Sequence, residues 1–188
     1  MKNIIMLAAS AVLMLLLQNC YGQSASKQAD QKKAAEYSRT DAAPVNKSNQ
    51  EWQKVLSPEV YEVARLKGTE RPFTSEYEHS KEVGTFYCAV CGNALFKSDA
   101  KYESGCGWPS FFEPISKKSI LEASDNSHGM RRTEVMCGRC KSHLGHVFDD
   151  GPPPTGLRYC INGVVLDFEK AKTAEKKYAE KKKANTGS

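Results

Sequence analysis

Hydrophobic positions change texture four times along the chain. Ile4 to Leu17 is an almost unbroken apolar run, and Gln23 to Gln50 holds almost no large apolar residue. From Glu51 to Leu66 the apolar residues Trp52, Val55, Leu56, Val60, Val63 and Ala64 fall at helical spacing. Ser57-Pro58 interrupts that run and predicts a second helix starting at Pro58. After Gly68, short β-branched and aromatic stretches alternate with turn clusters. Residues 85–87, 94–96, 132–135, 146–148, 158–159 and 164–166 are predicted strands. The turns fall at Cys91-Gly92-Asn93, Gly105 to Pro109 and Asp150 to Pro154. The expectation is a β-dominated core over 51–170 with a helical N-terminal edge. Residues 171–188 read as a basic tail, helical or disordered.

The chain has 188 residues, 40% hydrophobic and 26% charged, which suits one folded domain with extensions. The net charge of +5 comes mostly from one place. Residues 170–183 carry seven lysines against Glu175 and Glu180, so the remainder is near neutral. A terminal lysine run is ordinarily a solvated face, and no nucleic-acid partner is expected. Lys2 followed by the apolar run predicts a signal peptide over 1–22 and an exported protein. That run is shorter than the roughly 20 apolar residues needed to span a bilayer. Cleavage after Gly22 competes with lipidation at Cys20, because Leu17-Gln-Asn-Cys20 resembles a lipoprotein box with an ill-fitting Asn19. Residues 23–50 are too polar to bury a core and are expected to be a flexible linker.

Four of the seven cysteines form two matching pairs, Cys88-Ala-Val-Cys91 and Cys137-Gly-Arg-Cys140. Each has a glycine, Gly92 after the first and Gly138 inside the second. Two such knuckles complete a closed, structural four-thiolate shell for Zn²⁺. Two disulfides, or a redox Cys-x-x-Cys, are the competing readings, and export makes disulfides more admissible. The repeated pair favours metal.

Cys106 and Cys160 remain. Cys106 lies between two glycines in Ser104-Gly-Cys106-Gly-Trp108-Pro-Ser-Phe111, a loop free to carry a thiol toward a partner. Trp108 and Phe111 offer it an apolar wall. Cys160 lies between Arg158 and Asn162, which share its face if the segment is a strand. Arg158 is suited to stabilising a thiolate, and Asn162 to donating to the sulfur or a substrate. His143-Leu-Gly-His146 adds two proton donors. Read alone, these cysteines also suit a structural disulfide or buried thiols, and the aromatics and histidines suit a core.

Several separate motifs nevertheless occur in one order: Gly68 to Thr74, Ser104 to Phe111, Met130 to Val135, His143 to Phe148, Asp150-Gly-Pro152 and Arg158 to Asn162. Together they resemble the zinc-containing methionine sulfoxide reductase B family over nearly all of 51–169. The resemblance implies two antiparallel sheets with flanking N-terminal helices. It implies Cys160 as the thiol attacking methionine-R-sulfoxide and Cys106 as the resolving thiol. It implies Cys88, Cys91, Cys137 and Cys140 as zinc ligands, and Trp108, His143, His146 and Asn162 in the substrate site. Gly163 stands where that family often has serine. The expectation is a monomer that acts on methionine-R-sulfoxide, protein-bound or free, is recycled by a thioredoxin-like donor and repairs oxidised proteins. Two other readings compete. A zinc-ribbon binding module leaves Cys106, Trp108 and the histidines idle, and a general thiol oxidoreductase needs no methyl-binding wall.

Overall fold

The computed structural model describes residues 36–171. The expected signal peptide, the first part of the expected linker and the tail beyond Ala171 lie outside the described residues. No helix among those described is long and apolar enough to cross a membrane. Two short helices open the domain. In α1 (Asn49–Gln53) the Ser48 hydroxyl and the Glu51 carboxylate cap each other's backbone amides. Helix α2 (Pro58–Leu66) starts with Ser57 as cap and Pro58 in its first turn, and ends on Lys67 in the left-handed region. Their apolar stripes bury Trp52, Val60, Val63 and Ala64.

Nine strands follow: β1 (Gly84–Cys88), β2 (Ala94–Lys97), β3 (Lys101–Tyr102), β4 (Ser110–Phe111), β5 (Ile120–Asp125), β6 (Arg132–Cys137), β7 (His143–Phe148), β8 (Arg158–Ile161) and β9 (Leu166–Lys170). They form two antiparallel sheets, β2-β1-β9 and β3-β4-β8-β7-β6-β5. The fold is mainly β, as expected. Strand β5 escapes the hydrophobic pattern because it is an edge strand, most of whose residues are half or fully exposed. Val164 and Val165 belong to a 3-10 turn, and the last strand begins at Leu166.

An aromatic core links the two sheets. The Phe96 and Phe111 rings stack with centroids 4.3 Å apart, and Phe86 meets Phe111 edge-on at 5.1 Å. Phe111 pairs with Tyr159 across β4 and β8, and both side chains are buried. Alternation then sends Ser110 and Cys160 to the opposite face. Phe111, expected as a substrate wall, is therefore a core residue, fully buried.

Residues 36–48 also depart from the expected linker. Arg39 pairs with Asp167 at 2.9 Å and Glu169 at 2.8 Å, and lies 4.4 Å over the Tyr87 ring. Tyr37 donates to Asp167, and Val45 packs against the core. The segment is held by charges and main-chain hydrogen bonds, which a count of large apolar residues does not register.

Phe111→Ala is expected to destabilise the protein by about 3–5 kcal/mol, the usual cost of deleting a buried aromatic. Urea unfolding measures this, and a midpoint equal to that of the unsubstituted protein would place the ring outside the core.

Candidate active site and metal centre

Each Cys-x-x-Cys pair sits at the tip of a hairpin, one joining β1 to β2 and the other β6 to β7. In both, the residue after the second cysteine turns left-handed (Gly92 at φ 79°, Lys141 at φ 59°) and donates its amide to the first cysteine's carbonyl. The true counterpart of Gly92 is therefore Lys141. Gly138 has a different reason: a Cβ there would lie 2.1 Å from the Lys118 carbonyl oxygen. All four sulfurs are buried and lie within 4.8 Å of one another. Cys88 and Cys140 are 3.8 Å apart, Cys91 and Cys137 3.6 Å. A tetrahedral thiolate shell with metal–sulfur bonds of ~2.3 Å has sulfur–sulfur edges of about 3.8 Å, so the quartet fits a metal ion. The Asn93 amide, 3.6 Å from Cys137 Sγ, and the Ser142 hydroxyl, 3.2 Å from Cys140 Sγ, supply polar neighbours.

The segment from residue 36 covers these knuckles. Arg139, within the second pair and only 5% exposed, donates to the carbonyls of Glu36, Ser38, Ala43 and Cys91 and pairs with Asp41. Ser38 N donates to Cys91 O, and Val45 N to Arg139 O.

The remaining two thiols meet on the six-stranded sheet. One row across it runs Ser110, Cys160, His146, Glu134, each directly opposite the next. Such partners share a face. The adjacent row on that face holds Arg158, Phe148, Arg132 and Asp125. Gly145 permits the close approach of β7 and β8, since a Cβ there would lie 2.0 Å from the Cys160 carbonyl oxygen. Simple alternation puts His143 and His146 on opposite faces. A bulge in the β6–β7 pairing between Val135 and Met136 re-aims His143, and the two rings meet at 5.4 Å.

Each imidazole has a carboxylate partner at 2.7 Å, Glu134 on His143 and Asp125 on His146. Burial lowers the pKa of His143 against the pull of Glu134, so it favours the neutral ring. Burial would raise Glu134, but Lys67 and His143 outweigh it and hold the carboxyl down. Hydrogen bonds from Ser127, then His146, keep Asp125 well below the usual carboxylate range.

Cys106 Sγ lies 3.4 Å from Cys160 Sγ, and neither is in a disulfide. The hydrogen bond from Cys160 lowers the Cys106 thiol to about 4, helped by Ser104 and Ser110 and opposed by burial. The same contact, with burial, pushes Cys160 up, while Arg158 works to lower it. The contact thus works against the thiolate expected on Cys160 while the sulfurs touch. Arg158 is tied to Asp150 by two 2.8 Å bonds and lies 4.3 Å over the Phe148 ring. A cleft of about 540 Å³ bordered by Tyr102, Cys106, Asp150 and Arg158 opens beside the thiols. Another, of about 360 Å³, is bordered by Tyr102, Ser104 and Trp108.

Asn162 lies just past β8 and does not continue its alternation. Its Oδ1 accepts from Glu70 N at 3.0 Å and its Nδ2 donates to Leu144 O at 2.9 Å. It braces the segment after Cys160, a different task from the expected donation to sulfur or substrate. Glu70 has no assigned role in the sequence reading, yet it is the hub here. Its carboxylate accepts from the amides of Gly163 and Val164, and its carbonyl from the Trp108 indole. A side chain at Gly163 would meet Ser75 Oγ at 1.9 Å, so Ser75 fills the space a serine there would need. Asp125 and Glu134 were missed as well. Glu134, an acid next to Val135 and Met136 in a predicted strand, carried a readable signal, because acids are almost never fully buried without a partner.

The SelR domain model matches residues 56–170. Proteins called peptide methionine sulfoxide reductase MsrB are similar over nearly their whole length. That of Pseudomonas putida (strain W619) is 58% identical over 125 residues, 66% of this chain and 94% of that protein. That of Bradyrhizobium diazoefficiens is 57% identical over 131 residues, 70% of this chain and 94% of that protein. That of Acinetobacter baumannii (strain AYE) is 57% identical over 132 residues, 70% of this chain and 93% of that protein. A mainly-β fold with a touching thiol pair and a four-cysteine cluster able to hold a metal ion defines a thiol-based oxidoreductase. The chain belongs to the SelR-domain family of MsrB methionine sulfoxide reductases.

Arg139→Ala is expected to cost about 3 kcal/mol, because it strands several buried carbonyls and Asp41. It should also weaken metal retention about 10–100-fold, as loss of an outer-shell contact does. Thermal unfolding and transfer of the ion to a chromogenic chelator check both. Unchanged values would show that residues 36–48 do not brace the knuckles.

Proposed function

We propose that this enzyme reduces methionine-R-sulfoxide in oxidised proteins to methionine, with Cys160 as nucleophile and Cys106 as resolving thiol. The observation that carries the reading is the pair of unbonded sulfurs 3.4 Å apart, with His146 directly opposite Cys160. Substrate entering beside Cys160 separates the sulfurs and frees Cys160 from the contact that keeps it protonated. Its sulfur attacks the sulfoxide sulfur. The sulfoxide oxygen grows basic as the bond forms and takes a proton from His146, with His143 behind it. Cys160's own proton replenishes the imidazole. The hydroxyl then passes from the substrate sulfur to the Cys160 sulfur as the bond between the two sulfurs breaks, so a thiol and a sulfoxide become a sulfenic acid and methionine. Trp108, fixed by its indole bond to Glu70, faces the methyl group. Arg158 and Asn162 hold the walls of the site. Cys106 then displaces the sulfenic oxygen to give a Cys106–Cys160 disulfide, reduced by a thioredoxin-like dithiol protein.

The four-cysteine centre holds Zn²⁺, the usual ion of closed tetrathiolate shells, and its task is to keep the hairpins together. The apolar N-terminal run supports a location outside the cytoplasm, either free after cleavage or anchored at Cys20, with a reductant that is exported or linked to the membrane.

Reduced, metal-loaded protein is expected to turn over the R epimer of a protected methionine sulfoxide with dithiothreitol, and to leave the S epimer untouched. Cys160→Ser should abolish turnover. Chromatographic assay of each epimer decides it, and absence of turnover of both by the unsubstituted protein would overturn the reading.

A further inference from the structure

Cys106 is not held by Cys160 alone. Ser104 of the same loop and Ser110 of β4 also contact its sulfur. Ser104 Oγ donates to Cys106 Sγ at 3.0 Å and accepts from the Cys106 amide at 3.3 Å. Accepting the amide leaves the hydroxyl hydrogen of Ser104 for the sulfur. Ser110 Oγ lies 2.7 Å from Ser104 Oγ and 3.4 Å from Cys106 Sγ. It is 1% exposed and sits directly across β4 and β8 from Cys160, so it borders both sulfurs. Its one hydroxyl hydrogen is shared between Trp108 O at 3.2 Å and Ser104 Oγ, so Ser110 acts on the sulfur chiefly by holding Ser104, the direct donor.

We propose that Ser104 and Ser110 form a hydroxyl cradle that holds the Cys106 sulfur in its anionic form against Cys160, making them positioning residues of the disulfide-forming step. This rests on the reading of Cys106 as the resolving thiol. A thiolate accepts hydrogen bonds more strongly than a thiol, so donated hydroxyls favour the anion. When methionine leaves, the hydrogen bond from Cys160 is gone, because that sulfur now carries oxygen. Ser104 is then the hydroxyl donor that remains, held in place by Ser110. Arg158 adds positive charge from β8, while Asp150, Glu103 and Tyr102 border the same cleft, two of them acids that oppose the anion. Cys106 S⁻ attacks the Cys160 sulfur, the sulfur–sulfur bond forms and the sulfur–oxygen bond breaks. Hydroxide leaves into the open cleft and takes a proton from solvent. The Cys106 sulfur is oxidised and the Cys160 sulfur reduced, both to the disulfide level.

The test has an arm that needs no turnover. In the full-length reduced protein, alkylation of Cys106 by iodoacetamide is followed against pH by peptide mass spectrometry. Removing a donor disfavours the anion, so the Ser104→Ala midpoint moves to higher pH and alkylation at neutral pH slows about ten-fold. Ser104→Thr keeps the hydroxyl and restores the profile, which a purely structural role would not do. In single turnover without reductant, Ser104→Ala slows disulfide formation about ten-fold more than methionine formation, and dimedone traps the accumulated sulfenic acid at Cys160. Ser110→Ala gives the same split, and Ser104, the less buried position, guards against a folding failure there. An unmoved midpoint with no change in the ratio of the two rates overturns the cradle. So does a parallel fall of both rates that threonine does not rescue. Absence of methionine formation by the unsubstituted protein overturns the functional reading instead, and leaves the alkylation profile to judge the cradle.

Discussion

Four buried sulfurs at one point hold this domain in register. Cys88 and Cys91 end and follow β1 of the smaller sheet, and Cys137 and Cys140 end and follow β6 of the larger. Four thiolates packed this closely repel one another, so in that form the cluster calls for a cation among them. A bound ion would tie two hairpins distant in the chain to one point. Residues 36–48 complete the arrangement by delivering backbone carbonyls to Arg139, which would otherwise be a buried charge with few partners.

The reacting groups owe their placement to the sheet anchored this way. Residues from β4, β8, β7 and β6 come into one row because antiparallel pairing fixes which side chains stand opposite one another. Gly145 lets β7 and β8 approach, and the bulge beside it adds His143 to the face that already holds His146. The carboxylates that orient the imidazoles come from β5 and β6. Loop residues do the rest: Glu70 and Asn162 tie the turn after Cys160 to the segment carrying Trp108. A rigid row of strand residues faces a loop thiol between two glycines, an arrangement that suits a cysteine required to meet its partner and withdraw.

The hydrophobic pattern made much of this legible. The helix boundary at Ser57-Pro58, the strands at β1, β2, β6, β7 and β8, and the pairing of Cys-x-x-Cys motifs all follow from local chemistry. Strand β5 was illegible because an exposed edge lacks the alternation that burial imposes, and β3 and β4 are two residues each. Residues 36–48 were misread because polar attachment leaves no apolar signature. Phe111 was misassigned because a motif places a residue near a thiol in sequence, whereas the strand pleat sends it to the other face. Asn162 fell outside the alternation that placed it, since the strand stops at Ile161.

The amino-acid sequence by itself determined the inventory: four cysteines in two matching pairs, two more outside them, two histidines, and a glycine-flanked loop. Those properties reside in residue type and short spacing, which survive without a fold. Only the tertiary structure decided which groups share a face, which acid backs which histidine, and that the two remaining thiols touch. Each of these depends on register, on a bulge, or on burial produced by distant segments. Such distances are set by packing among strands far apart in the chain, where local pattern has no reach.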